Sequence, residues 1–295
     1  MDKAAITPAL VERLIRTQFP QWAGLPVAPV ERDGWDNTTF RLGDEMSVRL
    51  PSADYYVGQV GKEHRWLPVL APALPLPIPV PLARGAPGCG YPRPWSVYRW
   101  LSGETADRAL IGDLVAFASD LAGFCAALYQ VDPSGGPSPG QHSCHRGGSL
   151  QVFDADARRA IAVLAGRFDT GHAAEIMDEA LAAAWHGPAV WVHGDVSPEN
   201  LLVAGGRLSA VIDFGCCAVG DPACDLTIAW TFLSGTSRRA YRDRVGLDDA
   251  TWARARGWAL WKAMIVLAGA LDSDPADAIA TQHVIDEILA DHDRA

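Results

Sequence analysis

Nine prolines fall between Pro68 and Pro94, with six of them inside the run "LPVLAPALPLPIPVPL". Proline lacks the backbone N–H that a helix interior or a central strand needs, so this stretch predicts neither. A polyproline recognition segment would suit the composition. The run leads straight into the β-rich "WSVYRWL", and an extended connection crossing a small lobe is the better reading. It also splits the pattern of the chain. Before it come a short helix predicted within residues 4–19 and three extended stretches, Val27 to Arg32, Thr38 to Leu42 and Met46 to Leu50. The turn Gly43-Asp44-Glu45 makes the last two a hairpin, and residues 59–70 read as a helix. After it the pattern becomes helical. Ile111, Leu114, Val115, Ala118, Leu121, Ala122, Cys125 and Leu128 repeat at helical spacing. A Gly/Pro/Ser-rich loop over 132–149 precedes helices expected at 154–166, 173–186 and through 221–291.

Charge and cysteines narrow the function. Lys and Arg total 25 against 35 Asp and Glu, a formal charge of −10. Nucleic-acid binding rests on neutralising phosphates with basic side chains, so that partner is excluded. The apolar runs fall short of the roughly 20 residues of a membrane span, and no secretory leader is read at the start; a cytoplasmic protein is expected. None of the six cysteines forms a C-x-x-C pair, and His142-Ser143-Cys144-His145 lacks a second ligand pair at metal spacing. That stretch reads as a polar loop, and the thiols as reduced.

The chemistry lies in "WVHGDVSPENLLVAGGRLSAVIDFGCCAVGDPACDL", residues 191–226. Gly205-Gly206 marks a two-residue hairpin turn. Pairing Ala204 with Arg207 sets Asn200 opposite Val211 and leaves Asp213 just beyond the strand end. Asp195 precedes Asn200 by five residues, in a loop that Pro198 keeps out of helix. Two carboxylates and an amide are thus gathered at one end of a hairpin. Such oxygen ligands suit Mg²⁺, which keeps waters and takes few protein ligands besides substrate phosphates. With one acidic group left to orient a hydroxyl, these are the parts of phosphoryl transfer.

"HGDVSPEN" followed by "VIDFG" resembles the catalytic and metal-binding motifs of the aminoglycoside phosphotransferase family, relatives of the protein kinases. "LSGETA" and "GDPACDL" extend the likeness over about residues 30–270. The resemblance implies an α+β, bilobal, protein-kinase-like fold: a small β-rich nucleotide-binding lobe over 1–102, a hinge near 98–102, and a helical catalytic and acceptor-binding lobe over 103–295. It implies that Asp195 is the catalytic group for the acceptor hydroxyl, that Asn200 and Asp213 hold Mg²⁺, and that His193 holds the catalytic loop. The kinase Gly-rich loop is replaced by "DGWDNTTF", where Asn37, Thr38 and Thr39 could donate to phosphates. Arg49 stands where kinases carry lysine, with Glu63 as its orienting carboxylate. Backbone groups of Arg99 and Leu101 would meet the purine edge. Asp221 and Asp225 read as cap and turn residues opening the next helix.

The implied function is a phosphotransferase that moves the γ-phosphate of ATP or GTP to a hydroxyl of a small molecule. Members of the family phosphorylate aminoglycosides, other antibiotics and ordinary hydroxylated metabolites, and antibiotic resistance is one expected role. A protein kinase is disfavoured, because only 82 residues follow Asp213 and no A-P-E segment is present. A catalytically silent kinase-like nucleotide-binding module and a metal-dependent hydrolase are the remaining alternatives. The acceptor site is expected in the large lobe, beside Asp195 and between the 132–149 loop and the C-terminal helices.

Overall fold

The computed structural model describes residues 3–31, 33–271 and 275–294. The small lobe opens with helix α1 (Pro8–Gln18). Thr7 caps it by accepting the Leu10 N–H, and Pro8 fills the first position, where no donor is needed. Leu10, Val11, Leu14 and Ile15 form its buried stripe. That stripe packs on an antiparallel sheet of β1 (Val27–Pro29), β2 (Asn37–Leu42) and β3 (Met46–Pro51), followed by α2 (Val57–Leu70), β4 (Pro81–Gly85) and β5 (Trp95–Arg99). The sheet order is β1-β2-β3-β5-β4. The predicted hairpin is present, with Thr38 opposite Leu50 and Leu42 opposite Met46. The first strand is shorter than expected, and Arg32 lies outside the described residues.

The proline run behaves as the missing donors dictate, with one correction. Pro81 opens the edge strand β4, the place in a sheet that tolerates proline. Pro68, however, sits inside the last turn of α2 rather than beyond it. Leu67 and Leu70 are fully buried on either side, and that burial offsets the lost hydrogen bond. Between the two elements the chain is pinned to the large lobe, where Val211 N–H donates to Pro77 O at 3.1 Å.

The large lobe begins with β6 (Glu104–Thr105) and α3 (Leu114–Tyr129), capped by Asp113. Next come α4 (Asp154–Val163), α5 (Thr170–Ala182), β7 (Val190–Val192), β8 (Leu201–Ala204), β9 (Arg207–Val211) and β10 (Ala218–Gly220). Helices α6 (Ile228–Thr231), α7 (Gly235–Val245), α8 (Asp249–Ala270) and α9 (Pro275–His292) close the lobe. Ile111, expected in the third helix, precedes it. A second, larger core joins these helices and also takes Trp66, Leu67, Leu70, Ile78 and Tyr98 from the small-lobe side. Among the described residues no helix is long and apolar enough to cross a membrane.

The β8–β9 hairpin departs from the simple register. Ala204 faces Arg207 as predicted, but a bulge between Leu202 and Val203 puts Leu201, not Asn200, opposite Val211. Ser209 Oγ donates to Leu202 O at 3.0 Å, which satisfies a carbonyl at the bulge. Asn200 instead accepts the Ile212 N–H at 2.9 Å, one residue closer to Asp213.

Candidate active site

The loop after β7 is built on a buried carboxylate. Asp225, with no exposed surface, accepts the His193 N–H at 2.9 Å and the Gly194 N–H at 2.7 Å. Burial pushes its pKa up, opposed by the neighbouring His193 and by these two donors. Asp225 therefore fastens the catalytic loop, which corrects its reading as a turn residue of the next helix. Asp221 does cap that helical turn, accepting the Ala223 N–H at 3.0 Å. It also forms a buried two-pronged pair with Arg254, at 2.6 and 3.1 Å. Gly194 is obligatory: its φ is +85°, and a Cβ there would lie 2.5 Å from Cys216 O. His193 Nε2 lies 2.9 Å from Ile212 O, so the proton sits on Nε2 and Nδ1 is left to accept the Asp195 N–H at 3.2 Å. The imidazole is thus fully used in holding the loop.

Asp195 is exposed, and Asn200 orients it. Asn200 Nδ2 donates to both Asp195 O, at 2.9 Å, and Asp195 Oδ2, at 3.1 Å. Asp213 follows β9 with φ +65°, and its Oδ1 accepts from Gly215 N–H and from Arg49 Nη2, both at 3.3 Å. Arg49 Nη1 stands 3.7 Å from Glu63 Oε1, and Glu63 also accepts the Tyr98 hydroxyl. Burial disfavours the Arg49 charge, but the Asp213 and Glu63 carboxylates overcome this and hold it firmly protonated. Burial raises the Glu63 pKa despite Arg49, and Asp213 is lowered because Arg49 and His193 outweigh its own burial. Arg49 therefore spans the helix-borne carboxylate and Asp213. The sequence pointed to the first contact only.

Two of the small-lobe expectations change. Thr38 points into the core, 9% exposed, and does not line the cavity between the lobes; strand alternation sends Thr39 and Arg41 there instead. The Thr39 N–H is already taken by Asp33 Oδ1 at 2.9 Å, leaving Thr39 its hydroxyl. Arg99 and Leu101 both line this cavity. Arg99 N–H donates to Val80 O at 3.0 Å, so of its backbone groups the carbonyl is the one left for a ligand.

Sequence reasoning missed several residues here. Asp36 lines the same cavity, accepts from Gln59 Nε2 at 2.7 Å, and is raised by burial with help from Asp213 and Asp195. Lys62 donates to Gly215 O at 2.7 Å and to Cys217 O and His142 O at 3.1 Å, tying the 132–149 loop to the Asp213 turn. A lysine directly before Glu63 in a helix facing the site was the available signal. The Cys144 thiol sits beside Cys216 in that junction. The Cys216 S–H donor outweighs burial and, with the Tyr55 hydroxyl, lowers Cys144 to about 6. The inter-lobe cavity measures about 780 Å³ and includes Arg49, Asn200 and Asp213. A second cavity of about 720 Å³ lies in the large lobe against Asp195, and Glu199 borders both.

A family model described as the phosphotransferase enzyme family matches residues 28–258. The chain belongs to this family. It is accordingly a nucleotide-dependent phosphotransferase acting on a hydroxyl of a small molecule. No curated protein sequence matches the chain. Among solved structures, the GDP complex of wild-type aminoglycoside 2'-phosphotransferase-IIIa superposes with a TM-score of 0.72 at 18% identity, covering 97% of this chain and 99% of that one. Macrolide 2'-phosphotransferase MphH from Brachybacterium faecium gives 0.60 at 21% identity, covering 94% and 97%. A thermostable mutant of aminoglycoside phosphotransferase APH(4)-Ia, in a ternary complex with AMP-PNP and hygromycin B, gives 0.64 at 21% identity, covering 95% and 97%. At such identities the likeness establishes the kinase-like fold: the antiparallel small lobe and the helical large lobe.

Proposed function

We propose that the inter-lobe cavity takes the nucleotide, ATP or GTP, and that Asp195 acts on the acceptor hydroxyl presented from the large-lobe cavity. The observation that carries this is the Asn200 amide: Asn200 lines the inter-lobe cavity and fixes the Asp195 carboxylate, which lines the large-lobe cavity. An exposed carboxylate held in one orientation can accept a hydroxyl proton as the bond to phosphorus forms, at a cost in entropy already met by folding. Arg49, charged and facing the cavity, suits the α- and β-phosphates, with Glu63 limiting its rotamers. The Thr39 hydroxyl, in the lining of the cavity, would serve a phosphate oxygen. The Leu101 N–H and the Arg99 carbonyl, in the same lining, would serve a purine edge.

Asn200 and Asp213 fit a Mg²⁺ ion. The Asn200 Nδ2 is consumed by Asp195, so the atom left for a cation is its carbonyl oxygen. Asp213 Oδ1 is bonded to Gly215 and Arg49, while Oδ2 makes no hydrogen bond among the described residues. No cluster of three or more His, Cys, Asp or Glu suited to a metal occurs among those residues, and an ion held here would take its other ligands from phosphates and water. When bound, Mg²⁺ would neutralise charge between the β- and γ-phosphates. Nucleotide-consumption assays against hydroxylated compounds, with mass spectrometry of the product, test the proposal. A phosphorylated acceptor supports it. Release of inorganic phosphate alone, unchanged by any acceptor, contradicts it.

A further inference from the structure

The large-lobe cavity has a charge pattern that limits what can fill it. Its apolar wall is formed by half-buried Phe232, Val266 and Val284 beside the buried indoles of Trp230 and Trp258. Half-buried apolar side chains around a concavity of this size are the usual lining of a small-molecule site. Among the described residues, three cations and three carboxylates also border it: Arg146, Arg238 and Lys262 against Asp195, Glu199 and Glu287. They are not equally available. Glu287 is taken by Arg238 at 2.8 Å, and Arg238 also binds Asp291 at 3.1 Å. Asp195 serves the reacting hydroxyl, and Glu199 sits at the border with the nucleotide cavity.

Two cations are left without a carboxylate. Arg146 lies over the rings of Trp258 and Trp261, at 4.9 and 5.2 Å, and forms no ion pair among the described residues. Lys262 is exposed and makes neither a hydrogen bond nor an ion pair among those residues. A ligand with several ammonium groups would have to shed water beside these two charges, with Glu199 the one carboxylate neither paired nor engaged in the reaction. Desolvated charge without a partner is strongly unfavourable. An uncharged hydroxyl compound meets no such penalty, and an anionic group seated at Lys262 rather than beside Asp195 or Glu199 gains from it.

Resting on the reading of this cavity as the acceptor site, we propose that the acceptor is an uncharged or anionic hydroxyl compound with an apolar face. Polycationic amino sugars are rejected by charge. Reversing one charge near a bound ammonium, screened by an effective dielectric close to that of water as at the exposed Lys262, changes affinity by roughly tenfold or more.

The test is calorimetric binding to the full chain, with ADP and Mg²⁺ present, of four probes: hexyl β-glucoside, hexyl β-glucuronide, hexyl β-glucosaminide and kanamycin. The first two should bind at least about tenfold more tightly than the last two, and Lys262→Glu should reduce or invert that order. Kanamycin leading in the unaltered chain overturns the inference. So does failure of both uncharged and anionic probes to bind, or an order untouched by Lys262→Glu. Val284→Trp, which fills the cavity, separates the two levels. Probe binding unchanged by Val284→Trp means that the cavity is not the acceptor site. Binding abolished by it, but led by kanamycin, means that only the charge inference is wrong.

Discussion

Replacing Arg49 with alanine removes the cation that faces both Glu63 and Asp213. Glu63 is 4% exposed, so the change leaves a buried carboxylate whose remaining partner is the Tyr98 hydroxyl. Breaking a buried pair costs about 3–5 kcal/mol. The 3.7 Å separation from Glu63 and the surviving Tyr98 bond place Arg49→Ala at the low end, about 3 kcal/mol. Glu63→Gln keeps the shape, and Arg49 keeps Asp213, so its cost should be about 1–1.5 kcal/mol. The double variant no longer holds a buried unpaired charge. It should cost about 3 kcal/mol rather than the sum, a coupling of roughly 1–1.5 kcal/mol. The pH dependence has a definite sign. Without Arg49 the folded-state pKa of Glu63 rises further above its unfolded value. The Arg49→Ala deficit should then be larger at pH 8 than at pH 5, as protonation relieves the charge. Urea unfolding of the four proteins at both pH values measures this, and nucleotide titration should show a 10- to 100-fold loss of affinity in Arg49→Ala, the worth of a charge-assisted bond. Additive effects within about 0.5 kcal/mol, or a deficit independent of pH, would refute the placement of Arg49 between the two carboxylates.

Asp213→Ala should abolish Mg²⁺-dependent nucleotide binding in calorimetric titration, with Asn200→Ala milder; unchanged Mg²⁺ dependence in Asp213→Ala would put the ion elsewhere. Cys144, lowered to about 6 chiefly by the Cys216 thiol, should be alkylated by iodoacetamide at a rate that climbs through pH 6 and levels above about pH 7, because the thiolate reacts. Cys216→Ala should move that midpoint upward, and peptide mass spectrometry reads both; a rate still rising at pH 9 would show that the two thiols do not face each other.

Local rules carried the reading where a short segment decides its own geometry. Gly205-Gly206 and the flanking alternation foretold the β8–β9 hairpin, beyond which Asn200 meets Asp195. The bulge at Leu202 and Val203 was not legible, since it depends on a Ser209 bond across the turn. Thr38 and Thr39 are adjacent and alike, and only the pleat decides which one faces the ligand. Asp225 lies in a run that reads equally well as a capped helix start; its partners are 31 and 32 residues upstream, and nothing local announces them. Asp36, Gln59 and Lys62 likewise gain their meaning from the packing of α2 on the Asp213 turn. Pro68 shows the converse, a strong local rule overruled by the burial of its neighbours.

The central claim is that Asp195, held by Asn200, handles the acceptor proton, and Asp195→Asn isolates that role. The substitution keeps size and removes the basic oxygen pair, so transfer to a hydroxyl acceptor should fall by about 10²-fold or more. Nucleotide affinity should stay within about twofold, because Asp195 borders the other cavity. Single-turnover transfer from labelled ATP or GTP, measured beside nucleotide affinity on the same preparation, gives both numbers. A variant retaining more than half of the transfer rate would contradict the account, and loss of transfer with intact nucleotide binding is the result it predicts.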